Sequence, residues 1–458
     1  MKKIFQYIML AVVTIVMASC TSDIEETTAT TGKSNVQLVV GEFPAFGDSQ
    51  TRTIGTPDPG KTSWAVGDEL LLVIDNTSYG SHSATFTYNG KSWELTSGEL
   101  VYREGAPAYI PHVYYAPNYK WANTSLMLKK GKAAGTDEYI EGTARITGNG
   151  ETITVSFAEA TRKYSRLRIA TLPNEQITVD TEDFTPAGSS DMERKGNYTL
   201  TSDEKGNAYL YGTFENNSEV TVKYREAPLK TYTFSQATEN AKSYALDATV
   251  ISANSAEEIK SAIKQKVADS KTAIRLNLAS DAGANEFNAI REAFEKVKSG
   301  TIDLTLIGCK EMPANGLNNQ SGGLEALKSI TLPDVTKIGK NALLFCVDLE
   351  EICAPNVSAI DEGAFAECRK LRKVTLGELT DVKGDYEHGG GIFGYDSFLM
   401  QNIDLELSEK QRIMTRKLID GRYCWTPTEE PYQMSKDHTS RSFLGMTFNS
   451  ITCGMKFQ

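Results

Sequence analysis

The feature that most constrains this chain is a repeat of 22 residues running from position 327 to position 382. It reads LKSITLPDVTKIGKNALLFCVD, then LEEICAPNVSAIDEGAFAECRK, then LRKVTLGELTDV. Leu327, Leu349 and Leu371 recur at this spacing, as do Ile330, Ile352 and Val374; Val335, Val357 and Leu379; and Ile338, Ile360 and Val382. Ala342 matches Ala364, and Cys346 matches Cys368. One such unit is too short to enclose a core, but stacked units bury their aligned apolar columns between neighbours, so the pattern predicts a solenoid. Residues that alternate with the columns are expected to point outward: Ser329 and Thr331, Glu351 and Cys353, Lys373 and Thr375. Of these, Ser329, Thr331, Glu351, Lys373 and Thr375 are the candidate binding face, although each also reads as plain solvated surface. Cys353 is expected as an exposed thiol. Cys346 and Cys368 fall in a column and are expected as buried thiols, although a strand spacing of about 4.8 Å would permit a bridge.

On either side the period changes. After Val382 the apolar positions resume at Met400, Ile403 and Leu405, an offset of 29 that implies an insertion of about seven residues around Glu387 to Gly391. Upstream, Ser255-Ala256-Glu257-Glu258 is a capping box that opens a helix running to about Ser270. A second amphipathic helix carries Phe287, Ile290, Phe294 and Val297 on one face. Each helix leads into a strand, Ile274-Leu276-Leu278 and then Ile302-Leu304-Leu306, offset by 28. Near the end, Glu409 to Ile419 reads as a helix. With Tyr423-Cys424-Trp425 and Phe443 to Thr452, it is expected to cover the last open coil.

Residues 36–250 read differently. Short alternating segments such as Val36 to Val40, Leu70 to Ile74, Ala84 to Tyr88 and Ile153 to Phe157 are punctuated by Asn89-Gly90 and Asn149-Gly150. Helical periodicity is missing before about residue 255. The expected architecture is therefore multidomain: all-β sandwiches at 36–157 and 158–250, then an α/β repeat solenoid at 251–458.

Two resemblances sharpen this outline. L-x-x-I-x-L-P at Leu327 to Pro333 and A-F-x-x-C-x-x-L at Ala364 to Leu371 closely resemble the BspA-like leucine-rich repeat. Trp64-Ala65-Val66-Gly67-Asp68, placed before the strand Glu69 to Ile74, resembles the W-x-x-G-D signature of the fimbrillin-like (Mfa-type) family. Thr51-Arg52-Thr53, Ala108 to Pro111 with Tyr114 to Pro117, Ser165 to Ile169 and Ala241 to Leu246 extend that likeness over residues 36–250. The family implies two successive sandwiches and, in its polymerising members, cleavage after an arginine near the start followed by strand addition from another subunit. Arg52 is the matching candidate for processing. No short donor strand closes this chain, so the resemblance implies a tip or surface-anchored member rather than a repeating subunit.

The start of the chain supplies an address. Lys2-Lys3 and the apolar run Ile4 to Ala18 have the shape of an export leader, 1–19, and Met17-Ala18-Ser19-Cys20 resembles a bacterial lipobox. The implied modification is lipidation of Cys20, which tethers the protein to the outer membrane facing outward, with 20–35 as a polar, threonine-rich stalk.

Composition excludes several function classes. With 59 acidic and 48 basic residues, and both halves acidic, the chain lacks the clustered Lys and Arg that nucleic acid requires. His82, His112, His388 and His438 are scattered, so the spacing suggests no metal site. Neither a nucleophile elbow nor a phosphate loop occurs, so no cofactor and no enzymatic activity is expected. A non-enzymatic adhesin is the expected function, its partner a host or matrix protein or a fimbrial subunit. The alternatives are an accessory or tip subunit of a fimbria, and a glycan-binding surface lipoprotein using Tyr114-Tyr115 or Tyr423 and Trp425.

Overall fold

A computed structural model of the chain describes residues 37–48, 60–76, 80–98, 110–147, 152–157, 162–225, 227–318, 322–384, 391–394, 402–432 and 442–455. The leader, Cys20, the stalk and Arg52 lie outside the described residues.

The repeat forms a stack of parallel coils. Strands Leu327–Thr331, Glu351–Ala354 and Lys373–Leu376 pair side by side, with Ile330 opposite Ile352 and Ile352 opposite Val374. They sit inside an eight-stranded parallel sheet that begins at Ile251–Ser252, Ala273–Asn277 and Ile302–Ile307 and ends at Asp404–Ser408 and Ser450–Met455. A second sheet is built from Glu311–Met312, Lys337–Ile338, Ala359–Ile360 and Asp381–Lys383. The repeated apolar positions fill the space enclosed by the coils: Ile274, Leu304, Ile330, Ile352, Val374 and Leu405 are all at most 1% exposed and belong to one core cluster. Each such side chain contributes about 1.5–3 kcal/mol on burial, and no coil could collect that alone.

Two offsets differ from the sequence reading. Ile274 lies opposite Leu304 and Val374 opposite Leu405, so the steps are 30 and 31 residues rather than 28 and 29, and the insertion after Val382 is nine residues long. Side chains on a strand alternate with period two, so a slip of two residues keeps every apolar residue on the correct face and leaves the pattern unchanged.

Helix α1 (Ala256–Ala268) starts at Ser255, whose hydroxyl accepts the Glu258 amide at 3.3 Å while the Glu258 carboxylate accepts the Asn254 amide. Helix α2 (Ala284–Phe294) buries Phe287, Ile290 and Phe294, and Val297 packs on the core beyond its end.

The expected helix from Glu409 to Ile419 is a strand. Arg412–Ile419 pairs antiparallel with Arg422–Pro431 across Asp420-Gly421, both at positive φ (50° and 75°), which is the two-residue turn that suits a twisted hairpin. The Arg422–Pro431 strand in turn pairs with Asp381–Lys383, which extends the second sheet past the last repeat, while Ser450–Met455 closes the first.

The N-terminal half is all-β. Its first sheet runs in the order Gln37–Val40, Thr152–Ser156, Ile140–Thr147, Ile110–Tyr115, Glu69–Asn76, Gly80–Tyr88, Trp93–Gly98. Leu38 on one edge strand and Trp93 on the other share one core, so the single sheet is curled rather than split into two packed layers. Trp64 plugs its open side, with ring centroids 4.9 to 5.4 Å from Phe43, Trp93, Tyr115 and Phe157. Gly67 takes φ 93°, and Asp68 accepts the Ala65 amide at 2.7 Å and pairs with Lys61, closing the turn.

In the second sheet the long strand Gln176–Pro186 bends at Asp183 (φ 46°). Its first half pairs with Glu219–Tyr224 and its second half with Asn207–Phe214. A strand that changes partners in this way forms the corner joining two layers. Residues 47–48, from the N-terminal segment, pair with Lys242–Asp247 at the sheet's far end.

Candidate functional site: a groove on the repeat sheet

Parallel pairing aligns the outward residues of the first repeat sheet into two rows. One row is Asp303, Ser329, Glu351, Lys373 and Asp404, and the other is Arg275, Thr305, Thr331, Cys353, Thr375 and Glu406. All five candidate residues therefore lie together on this face. They line a groove of about 390 Å³ whose other wall is Pro228, Leu229, Lys230 and Thr231 of the second β-domain.

The wall is fixed by specific contacts. Arg275, 7% exposed, donates from Nε to the Leu229 carbonyl at 2.8 Å. Burial lowers its pKa, which Asp247 and Asp303 partly offset. Asp334, almost fully buried, pairs with Arg225 of the β-domain and accepts the Gly308 amide at 2.8 Å. Ile307, at the end of its strand in the repeat sheet, packs in the core of the second β-domain.

Exposure separates the five candidates. Glu351 and Lys373 are exposed, and Ser329 and Thr331 are half-buried in the groove. Thr375 is 3% exposed, which corrects its expected place on the surface: it sits between Cys353 and Glu406, and its hydroxyl donates to Glu406 at 2.7 Å. Lys373 pairs with Glu406 at 3.3 Å, and Ser329 donates to Asp303 at 2.7 Å. Cys353 is half-buried, and burial pushes its thiol up to about 12, so it is protonated at neutral pH and a poor nucleophile. Cys346 and Cys368 are buried free thiols. Among the described residues no cluster of His, Cys, Asp or Glu could hold a metal ion. The groove offers paired charges, hydroxyls and an apolar edge, which suit recognition of a polar surface.

The sequence reading missed Arg275, Asp303, Thr305 and Glu406. Carrying the alternation upstream by 26 residues to Asp303 and Thr305 and by a further 30 to Arg275, and downstream by 31 to Glu406, aligns them with this face. The aromatic candidates divide. Tyr115 is 6% exposed and belongs to the core, and burial, followed by the Asp68 charge, raises its pKa far above normal. Tyr114 faces outward into a separate cleft. Trp425 packs against the repeat core, and Tyr423 carries Arg416 over its ring at 4.8 Å.

No curated protein matches this chain. A solved structure of a candidate cell adhesion protein from Bacteroides fragilis aligns with 47% of this chain and 92% of its own, at 11% identity and a TM-score of 0.26, too low to establish a shared fold. Within the repeat itself the relation is direct: residues 322–386 match the family model of the BspA type leucine rich repeat region.

Proposed function

We propose that this chain is a non-enzymatic adhesin of the cell surface, held to the outer membrane by lipid on Cys20, which binds a protein through the groove on its repeat sheet. The observation that carries the reading is the pair of aligned polar rows, walled on one side by the second β-domain. An extended, rigid surface of this kind is how repeat proteins engage partners, and the BspA type repeat agrees with it. The test presents the full chain from residue 21 to a panel of immobilised host matrix proteins at physiological salt. Saturable binding to one of them is expected, and absence of binding to every protein would sink the reading. In cells, Cys20→Ala should move the chain from the membrane to the soluble fraction.

A fimbrillin-like accessory or tip role is the second reading, and one observation favours it. Residues 37–48 form an outer strand on each of the first two sheets, and bury Leu38, Val39, Phe43 and Phe46. Cleavage after Arg52 would sever this strap from the rest of the chain and allow its release, uncovering an apolar groove that an incoming strand could fill. An arginine-specific protease should then yield a fragment starting at Thr53 that joins fimbriae. A chain that stays intact, or a fragment that stays outside fimbriae, counts against this reading.

A further inference from the structure

A second cleft, of about 550 Å³, lies on the first β-domain and not on the repeats. Its floor is a row across four strands on the outer face of the curled sheet, in which Tyr114 stands opposite Leu71, Leu71 opposite Thr85, and Thr85 opposite Ser97. Its wall is the separate two-stranded hairpin formed by Tyr119–Ala122 and Ser125–Leu128, which brings Tyr119, Lys120 and Trp121 to the rim. Lys129 reaches across to Glu69 at 3.8 Å, and Asp137 closes one end.

Tyr114, Tyr119 and Trp121 belong to none of the four core clusters, yet each is half-buried around the cleft. Aromatic rings set outside a core, with acceptors and donors converging between them, are a poor use of apolar surface unless something covers them. Tyr119 is held in place: its hydroxyl donates to the Ala187 carbonyl at 3.3 Å, and its ring meets Tyr139 edge-on at 5.2 Å. The rest of the lining is polar, with hydroxyls from Ser83, Thr85 and Ser97 and carboxylates from Glu69 and Asp137.

We infer that this cleft binds a saccharide, with the C–H face of a sugar ring against Trp121 and Tyr114 and its hydroxyls on Glu69, Asp137 and Lys129. Sugars present an apolar C–H face and a rim of hydroxyls on one small ring, and the negative face of an aromatic ring attracts those C–H groups. A volume of about 550 Å³ is within the usual range of about 300–1,000 Å³ for small-ligand sites and suits a short oligosaccharide. A peptide would more readily use exposed strand edges, and none of the floor residues lies on one apart from Ser97.

The site is separate from the repeat groove, so it stands or falls independently of the function proposed above. The test applies the full chain to an array of neutral, N-acetylated and uronic acid oligosaccharides, then titrates hits by tryptophan fluorescence. Saturable binding with a change in tryptophan emission is expected, weakened at least tenfold by Trp121→Ala and largely retained by Trp121→Phe, with the melting temperature unchanged in both. Tyr114→Ala should weaken the same ligand, and Lys373→Glu should not. The inference is overturned if no saccharide titrates at millimolar concentration, if folded Trp121→Ala binds like wild type, or if a peptide library yields ligands that displace the sugar from this cleft with higher affinity.

Discussion

Arg162 is fully buried and is spent on one strap of chain: it pairs with Glu138 at 2.6 Å, donates twice to the Pro44 carbonyl at 2.9 and 2.7 Å, and stacks over Phe46 at 3.8 Å. Removing one partner of such a buried pair leaves the other charge uncompensated, so Arg162→Ala should cost roughly 3–5 kcal/mol in urea unfolding. A loss under about 1 kcal/mol would show that the cluster is more hydrated than its burial implies. Phe345 is the opposite case, an exposed residue at φ 62°, in the left-handed region that Asn tolerates better than a bulky side chain because its short amide can bond the local backbone. Phe345→Asn should add about 1 kcal/mol, seen as a higher melting temperature. Cys346, in the core column, titrates at about 12 instead of 9.0 because burial disfavours the thiolate. Its folded pKa lies above the unfolded one, so the stability it contributes is complete below about pH 9 and is lost as pH rises toward 12. Melting temperature should hold from pH 7 to about 8.5 and fall beyond pH 9, with a shallower fall in Cys346→Ala.

Among the elements, the central coil is coupled on both sides, because Ile352 is in register with Ile330 on one side and Val374 on the other. Ile352→Ala should cost about 2–5 kcal/mol, with an unchanged urea m-value. The columns were legible in the sequence because 22 residues returned the same apolar positions three times. The adjoining offsets were not, because a two-residue slip preserves strand alternation, and so Arg275, Asp303 and Glu406 were not aligned with the face they complete. The hairpin at 412–431 takes the place of the helix expected from Glu409 to Ile419, although Asp420-Gly421 is a strong local turn signal. In the β-domains the strands were visible as alternation. The partner change at Asp183 and the transfer of residues 47–48 to the second sheet depend on long-range pairing that no local pattern encodes.

At the scale of the molecule, the second β-domain and the repeats behave as one body, because Ile307, the Arg225–Asp334 pair and the Arg275–Leu229 bond all cross their junction. That junction also builds the groove, so the repeats expressed without the β-domain would lack one wall of it and expose Ile307. Only the full chain presents the complete site. Glu351 and Lys373 are its exposed charges, and their ion pairs with Arg372 and Glu406 are solvent-exposed and contribute about 0–1 kcal/mol, so reversing them tests recognition with little effect on the coils. The most direct measurement is surface plasmon resonance of wild type, Glu351→Lys and Lys373→Glu over the matrix protein that the full chain binds. The account predicts at least a tenfold weaker affinity for one or both variants, with unchanged melting temperatures. Equal affinity for all three chains would place recognition elsewhere and contradict the assignment of the repeat groove as the binding site.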